Sequence, residues 1–395
     1  MRPSLTLNFL LLAALFTPSA VFAQTLASPK NKPARSARSL PLTSFYDTPN
    51  PLPAGKPGEL IRSETFNEYR LAYEVSSIRI LYHSRSASGR DVAVSGVVLL
   101  PDGAPPPGGW PIIAWAHDVT GFARACAPSL LRNLGQGPLL SMYTNLGYAV
   151  VASDYAGLGS NFPYAALDLR SNAADVINAI PAARAAEPQL GTNWVTVGYA
   201  QGSLVAIAVA ESISESADAH YLGAIGISGL ADSRELFTGF SQSSAYTNLV
   251  FLAHGIKTLY PDFRIQDVFP EKAMRFYDFM GSSCEARLAP VPPAEDMLRP
   301  GWENNPYVKK FFARNALGQK PAQAPQMLIS AEYDRETPPA LTSGLVTRLC
   351  RQKDRVLFVK YPTYSSSTVL GNSVSEQVSW ISARFSGLPA PGNCP

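Results

Sequence analysis

The sequence lacks the short motifs that mark the best-known metal and cofactor sites. It has no closely spaced cysteine pair of the kind that binds zinc, no P-loop and no glycine-rich dinucleotide fingerprint. We therefore expect no metal and no cofactor.

The sequence also lacks a large excess of charge of either sign, because 33 Lys and Arg residues against 30 Asp and Glu residues leave a net charge of +3. So small an excess gives no strong electric field, and nucleic acid is not an expected partner.

Hydrophobic residues make up 46% of the chain and charged residues 16%, which is too apolar a balance for an intrinsically disordered protein. A length of 395 residues allows one large α/β domain with an insertion, or two domains.

The N-terminus has the parts of an export signal. Arg2 gives a short basic region, residues 5–16 form a largely apolar run, and residues 21–23 include the small residue expected at a cleavage site. We predict a signal peptide over residues 1–23, cleaved after Ala23, and a secreted or periplasmic protein. We favour this over a membrane anchor because the apolar run is shorter than the ~20 residues that span a bilayer. No integral membrane segment is expected after processing.

Export makes the four cysteines a disulfide question. Four cysteines allow three pairings, and sequence alone does not choose among them. Cys350 and Cys394 both lie in the C-terminal part, where they flank one predicted strand and one predicted helix. We favour pairing these two, which leaves Cys126 with Cys284.

Residues 24–65 are rich in proline, serine and basic residues and are predicted to form an extended N-terminal arm. We interpret its basic cluster as solvated linker in preference to a site for a membrane or a polyanion. The cluster consists of Lys30, Lys32, Arg35 and Arg38.

Hydrophobic periodicity predicts an α/β fold with a doubly wound, mostly parallel sheet. The first two strands alternate polar and apolar residues, as half-buried antiparallel strands do, and the later ones are apolar throughout, as parallel strands buried on both faces are. Helical patterns separate the later strands, which implies right-handed crossovers. This order matches the usual α/β-hydrolase plan. The predicted strands are 71–81, 91–100, 110–116, 147–153, 194–199, 222–228, 326–331 and 356–361, and the predicted helices 167–186, 201–213, 340–349 and 374–385.

The alternation of strands and helices breaks between residues 231 and 316. This segment has a helical pattern, carries many Phe and Tyr residues and lies between two predicted strands. We predict a helical cap, or lid, inserted over the active face, whose aromatic residues also pack its own core. The core of the fold is then expected over residues 66–230 and 317–395.

A tight glycine turn between a strand and a helix has the context of a nucleophile elbow. The strand 194–199 runs into Gly-Tyr-Ala-Gln-Gly at 198–202, and a helix follows. The flanking glycines permit a turn that lifts the central side chain above the sheet. That residue is serine in the G-x-S-x-G motif and Ala200 here, and a methyl group cannot attack a carbonyl. Ser203, one helical turn further on, cannot occupy the same point, and the serines of 239–243 follow no strand.

A serine hydrolase also needs a base within hydrogen-bond reach of the nucleophile, oriented by a carboxylate. The strand 326–331 leads to Asp334, which fits the acid. The next strand leads into a loop, residues 362–368, where this fold places a histidine and this sequence has none.

Histidine is scarce throughout, with four residues in the chain. His83 and His220 flank predicted strands, and we interpret them as structural. His117 ends a strand beside the expected oxyanion loop, but as a base it would have to act from the wrong side. His254, in the predicted cap, is the other candidate for a replacement base.

Five segments, taken in order, resemble the secretory lipase family, whose members are secreted triacylglycerol lipases and esterases of fungi and bacteria. The resemblance covers nearly the whole mature chain. The segments are 45–49 with Pro-Gly at 57–58, 114–121 with 126–129, 154–159, the turn at 198–202, and 384–387 with Cys394.

The resemblance implies roles for particular positions. It places the family's acid at Asp334 and its oxyanion groups at Asp118 and the backbone N–H of Gln201, and it implies the two disulfides favoured above. The family's histidine loop resembles Tyr-Pro-Gly-x-x-His, which places the histidine at Ser366 and leaves the nucleophile at Ala200. Two of the three triad positions therefore depart from the family pattern, and we interpret this double loss as natural divergence in preference to an introduced inactivating change.

We therefore predict a secretory-lipase-like pseudoenzyme that binds lipid or ester ligands with little turnover. The family's own activity is that of a triacylglycerol lipase or carboxylesterase in lipid catabolism. Two alternatives stay open: an active esterase or lipase with a rearranged catalytic site, and a non-catalytic partner or inhibitor of an active lipase. The sequence has no repeat, heptad or acidic face that would support the last of these.

Overall fold

The computed structural model describes residues 39–73, 75–216, 218–231, 233–238, 245–282, 284, 297–335 and 337–394. The predicted signal peptide and the basic cluster of the predicted arm lie outside these ranges. Within them, no helix is both long and apolar enough to cross a membrane.

The described residues form one nine-stranded sheet in the order β1-β2-β3-β5-β4-β6-β7-β8-β9. Strands β1, β2, β3 and β5 pair antiparallel in that order, and the remaining neighbours from β5 to β9 are parallel. The predicted α/β-hydrolase architecture, mostly parallel with antiparallel strands at the start, is thus confirmed. The strands are β1 (Leu60–Thr65), β2 (Ser76–Arg85), β3 (Asp91–Leu100), β4 (Trp110–Ala116), β5 (Ala149–Ser153), β6 (Leu190–Tyr199), β7 (Tyr221–Ile227), β8 (Gln326–Ala331) and β9 (Val356–Tyr361).

The start of the sheet differs from the prediction. Strand β1 lies inside the segment 24–65 assigned to the arm, and β2 begins five residues later than the predicted strand 71–81. Strand β1 is half-exposed and polar, so its pattern resembles that of a linker. Leu71 and Val75 were counted as strand residues because they are apolar, but they pack against the core from a loop.

Helices cover both faces of the sheet, which explains why the central parallel strands β4, β5, β7 and β8 are largely apolar and buried. On β4, Ile112 and Ala114 pack with α2 and α3 on one face, whereas Ile113 and Trp115 pack with α1, α9 and α10 on the other. These helices and the rest of the set are α1 (Gly137–Asn145), α2 (Leu169–Ala186), α3 (Gln201–Ser216), α4 (Ser233–Thr238), α5 (Ala245–Leu259), α6 (Glu271–Ser282), α7 (Pro306–Asn315), α8 (Pro339–Arg351), α9 (Ser366–Asn372) and α10 (Val374–Phe385).

Helix α2 begins two residues later than predicted because of its cap. Leu167 adopts a positive φ of 59°, which a helix does not allow. Asp168 follows as the N-cap, and its side chain accepts a hydrogen bond from the backbone N–H of Ser171.

Four helices, α4 to α7, occupy the described part of the segment between β7 and β8. Several of their aromatic side chains are fully buried, including Phe251 and Phe311, and they belong to the same hydrophobic core as one face of the sheet. Phe279 on α6 is 46% exposed. The segment is thus helical where it is described, as its pattern predicts.

Two disulfides form, and they are the two favoured from the sequence. Cys126 in the loop after β4 is joined to Cys284, two residues beyond the end of α6. Cys350 in α8 is joined to Cys394 near the C-terminus. The Cys126–Cys284 bond thus links the segment that holds α4 to α7 to the loop after β4, which is distant in sequence.

Candidate functional site

The turn between β6 and α3 has the geometry of a nucleophile elbow. Strand β6 ends at Tyr199, α3 begins at Gln201, and Ala200 between them has a φ of 52°, in the left-handed region. A side chain at Gly198 would overlap the carbonyl oxygen of Gly202, and one at Gly202 would overlap that of Ala116. The turn therefore needs both glycines, whatever residue stands at its centre.

Neighbouring strands hold the turn in place. The backbone N–H of Ala200 donates to the carbonyl of Ile227 at the end of β7, at 3.0 Å. Gly229 packs so closely that a Cβ on it would lie 2.7 Å from the Ala200 backbone. Ser203 is fully buried and its hydroxyl donates to the Ala200 carbonyl at 2.6 Å, which agrees with its interpretation as a helix serine.

Asp334, the predicted acid, lies in the loop after β8 and is 4% exposed. Its Oδ2 accepts a hydrogen bond from the Ser228 hydroxyl at 2.6 Å, and its Oδ1 accepts one from the Thr337 N–H at 2.8 Å. Ser228 directly follows Ile227, the residue that anchors the elbow. The carboxylate is therefore held next to the turn by the end of β7.

Ser366, at the predicted histidine position, is the first residue of α9. The Tyr199 hydroxyl, from the residue before Ala200, donates to the Ser366 carbonyl at 3.2 Å. The N–H of Tyr333 donates to the carbonyl of Tyr364 at 3.0 Å, which ties the Asp334 loop to the Ser366 loop. The three predicted triad positions thus belong to one connected cluster.

The loop after β9 leads into helix α9, whose N-terminus is capped. Ser365 is the N-cap of α9 and forms a capping box with Thr368, in which each side chain bonds to the other residue's backbone N–H. Ser365 and Thr368, on either side of the predicted histidine position, thus satisfy the start of the helix.

The two predicted oxyanion residues contact each other. Oδ1 of Asp118 accepts hydrogen bonds from the N–H of Val119 at 2.7 Å and from the N–H of Gln201 at 3.4 Å. The side chain of Gln201 donates through Nε2 to the hydroxyl of Tyr164 at 3.2 Å. Burial raises the pKa of Tyr164 well above its usual value, so this phenol stays neutral.

His117 does not face the site with a free ring nitrogen. It is 4% exposed, Nδ1 lies 2.6 Å from the carbonyl of Asp118, and Nε2 lies 3.1 Å from the carbonyl of Asp154. Its ring stacks on Tyr155 with the centroids 4.1 Å apart. Burial lowers the pKa of His117 to about 4, against the effect of the two carbonyls. A ring held in this way is a structural element of the loop.

His254, on α5, is half-buried and stacks on Phe122 with the centroids 4.1 Å apart. Its Nδ1 lies 3.1 Å from the hydroxyl of Tyr277 on α6. Burial lowers the pKa of His254 to about 4. Its contacts join the helical segment to the loop that follows Asp118.

Three residues of this cluster were not found from the sequence: Ser228, Tyr164 and Tyr199. Each is connected to the site through a partner more than 30 positions away, and such pairs leave no local pattern. For Ser228 one signal was present, a Ser-Gly pair after a buried strand. The structure ends β7 at Ile227 and gives Ser228 a φ of 55°.

Comparison with known proteins agrees with this geometry. The family model "Secretory lipase" matches residues 136–393. Lipase 6 of Candida albicans is 23% identical over 408 residues, which cover 89% of this chain and 82% of that protein. Candida antarctica lipase A has a similar structure, with a TM-score of 0.77 and 18% identity over 90% of this chain and 89% of that one.

The rice cell wall degrading esterase LipA from Xanthomonas oryzae is also similar, with a TM-score of 0.68 and 22% identity over 84% of this chain and 98% of that one. At such identities the two structures support the fold, while the family match extends over more than half of this chain. It includes the elbow, the acid loop and the loop after β9. The chain therefore belongs to the secretory lipase family.

Proposed function

We propose that this chain is a non-hydrolysing member of its family that binds lipid or ester ligands at the elbow, beneath the helices α4 to α7. The proposal rests on the identity of residue 200, which is alanine. A methyl group stands at the centre of a turn whose glycines, strand contacts and left-handed backbone are otherwise those of a nucleophile elbow. No hydroxyl is available at that point to form an acyl-enzyme.

The proton acceptor is missing at the same site. Ser366 has no ring nitrogen, and neither His117 nor His254 replaces it, because their rings are engaged elsewhere and their pKa values are about 4. Removing triad members from a well-studied protease leaves roughly 10³- to 10⁴-fold catalysis over water, from the oxyanion donors and binding. Turnover of this chain is expected to be no greater.

The predicted acid and the predicted oxyanion groups are present at the site. Asp334 is buried and doubly hydrogen-bonded, and Asp118 lies against the N–H of Gln201. Packing alone would keep the turn, but a buried carboxylate such as that of Asp334 is costly to keep. Its presence supports a site that still has a ligand, and the family's lipases and esterases indicate an acyl ester or a fatty acid as its class.

Export is part of the same proposal. The two disulfides are those of a protein that folds in an oxidising compartment. Together with a signal peptide over residues 1–23, they support action outside the cytoplasm.

A fluorophosphonate probe tests the loss of catalysis, since it labels an activated serine wherever that serine lies. The purified chain should remain unlabelled and should not hydrolyse p-nitrophenyl butyrate above background, while an active serine esterase is labelled in parallel. Labelling, or saturable hydrolysis, would instead support the rearranged esterase.

Native mass spectrometry of the chain purified from its host tests ligand binding. It should show a retained acyl ligand, and consistent recovery of an empty chain would contradict this part of the proposal.

A further inference from the structure

A cavity of about 320 Å³ opens at the carboxyl edge of the sheet, beside the elbow but separate from it. The turn between β2 and β3 forms one wall and the loop after β5 forms another. The start of α2 and the end of α5 complete it, through Asn172 and Thr258 among others. Its volume lies at the lower end of the range for small-molecule sites.

The position of the cavity follows from the sheet order. Its walls stand at the ends of β3 and β5, and β4 separates β5 from β6, which carries the elbow. Two strand spacings of about 4.8 Å each therefore separate β5, at one wall of the cavity, from β6.

Tyr164 forms the partition between the two sites. Its neighbours Pro163 and Ala165 line the cavity, while its own side chain is buried and accepts the hydrogen bond from Gln201 beside Ala200. Thr258, in the opposite wall, donates to the Tyr164 carbonyl at 3.2 Å. The cavity is therefore not part of the elbow site described above.

The lining of the cavity is apolar inside and positively charged at the rim. Phe162, Leu259 and Val92 contribute apolar surface. Arg90 stands exposed at the rim, bonds through Nε to the hydroxyl of Ser88 at 3.2 Å, and has no ion pair among the described residues.

The acidic residue of the lining does not neutralise this charge. The carboxylate of Asp91 already accepts hydrogen bonds from Arg85 at 2.6 Å and from the N–H of Gly55 at 3.1 Å, and it lies 3.1 Å from Nδ1 of His83. The unbalanced charge at the rim is thus that of the Arg90 guanidinium. A guanidinium that is free to bind pairs best with a carboxylate.

We propose that this cavity binds a small amphipathic carboxylate, with its apolar body against Phe162 and Leu259 and its carboxylate on Arg90. At roughly 30 Å³ per water-sized atom, the volume holds about ten non-hydrogen atoms, the size of octanoate. The proposal does not depend on what occupies the elbow or on whether the chain hydrolyses esters.

Isothermal titration calorimetry of the full-length mature chain with sodium octanoate tests it, with octan-1-ol as the uncharged probe. We expect one octanoate at this cavity, with a Kd on the order of 0.1–1 mM at the efficiencies usual for small ligands, in addition to any octanoate bound at the elbow. Arg90→Glu should weaken octanoate binding about tenfold and leave octanol binding unchanged, because only the former uses the charge. Arg351→Glu, at an exposed arginine at the end of α8, is the matched control and should leave the Kd of octanoate unchanged.

A second variant tests the location. Ala87 lies half-exposed in the lining, so Ala87→Phe should fill the mouth of the cavity and abolish the binding of both probes at this site, while the near-UV circular dichroism stays unchanged. If neither Ala87→Phe nor Arg90→Glu changes octanoate binding, all of the bound ligand lies elsewhere, at the elbow for instance, and the proposal is overturned. So would the absence of any octanoate binding up to several times the expected Kd.

Discussion

The elbow and the loop after β9 contain the predicted nucleophile and histidine positions, and the fold constrains these two segments to different degrees. At the elbow, Ala200 stands at the predicted nucleophile position in a turn with the geometry of a nucleophile elbow. In the loop, Ser366 stands at the predicted histidine position, and the backbone is capped as the start of α9. The difference follows from where each segment lies in the sheet.

The elbow is enclosed by the fold. Strand β6 pairs with β4 on one side and β7 on the other, and Gly202 packs directly on the backbone of Ala116. Any change of backbone here would disturb the centre of the sheet. Strand β9 pairs with β8 at the edge, and apart from its first residue it is at least partly exposed. Packing therefore preserves the geometry of the turn whatever residue stands at its centre, and it places less constraint on the loop after β9.

Restoring both residues should give the largest effect. If the elbow is intact, Ala200→Ser with Ser366→His should raise esterase activity on p-nitrophenyl butyrate on the order of a thousandfold, because Asp334 is already in place. Each single change should give at most about tenfold, since triad members act as a unit. Adding Asp334→Asn to the double variant should remove most of the gain. A folded double variant with no activity would show that the loop has drifted too far from the elbow.

The constraint on the elbow can be measured as stability. Gly202→Ala should lower the free energy of unfolding by about 3 kcal/mol or more, because its Cβ would overlap the Ala116 carbonyl. Gly371, in α9, has nothing within 4 Å of a built Cβ, so Gly371→Ala should raise it by about 0.5–1 kcal/mol. Urea denaturation measures both, and equal effects of the two substitutions would contradict the contrast between the regions.

The smallest expected effect concerns the strain at the centre of the turn. Ala200→Gly should stabilise the chain by about 1 kcal/mol, because glycine adopts a φ of 52° without the Cβ clash that alanine has there. Ala313→Gly, at an exposed position of α7, is the control and should destabilise by about 0.5–1 kcal/mol. A loss of stability at both positions would mean that the Ala200 backbone is relaxed.

Much of the fold could be predicted from periodicity because its core strands are enclosed on both faces. The bounds of β3, β4, β8 and β9 and of α10 agree with the prediction. Strand β1 was missed because it is polar and half-exposed, and α1 because its start, Gly-Pro, has the composition of a loop. In both cases tertiary contacts, not local propensity, decide the structure.

The candidate site was predictable where a residue follows a strand directly. Ala200 and Asp334 were found from the strands that precede them, and Ser366 was placed by the family resemblance. The structure brings the three into one cluster. The supporting bonds were not predictable. Ser228 reaches Asp334 across 106 positions and Tyr199 reaches Ser366 across 167, and no spacing rule covers such distances.

The close packing of Gly202 on Ala116 has a consequence for the evolution of this chain. Selection for folding alone maintains the turn, so under the proposed function the site for a nucleophile persists without being used. A single nucleotide change converts an alanine codon into a serine codon, whereas serine and histidine codons differ at more than one base. The route back to hydrolysis is therefore open at the elbow and is limited by the exposed loop at the edge of the sheet.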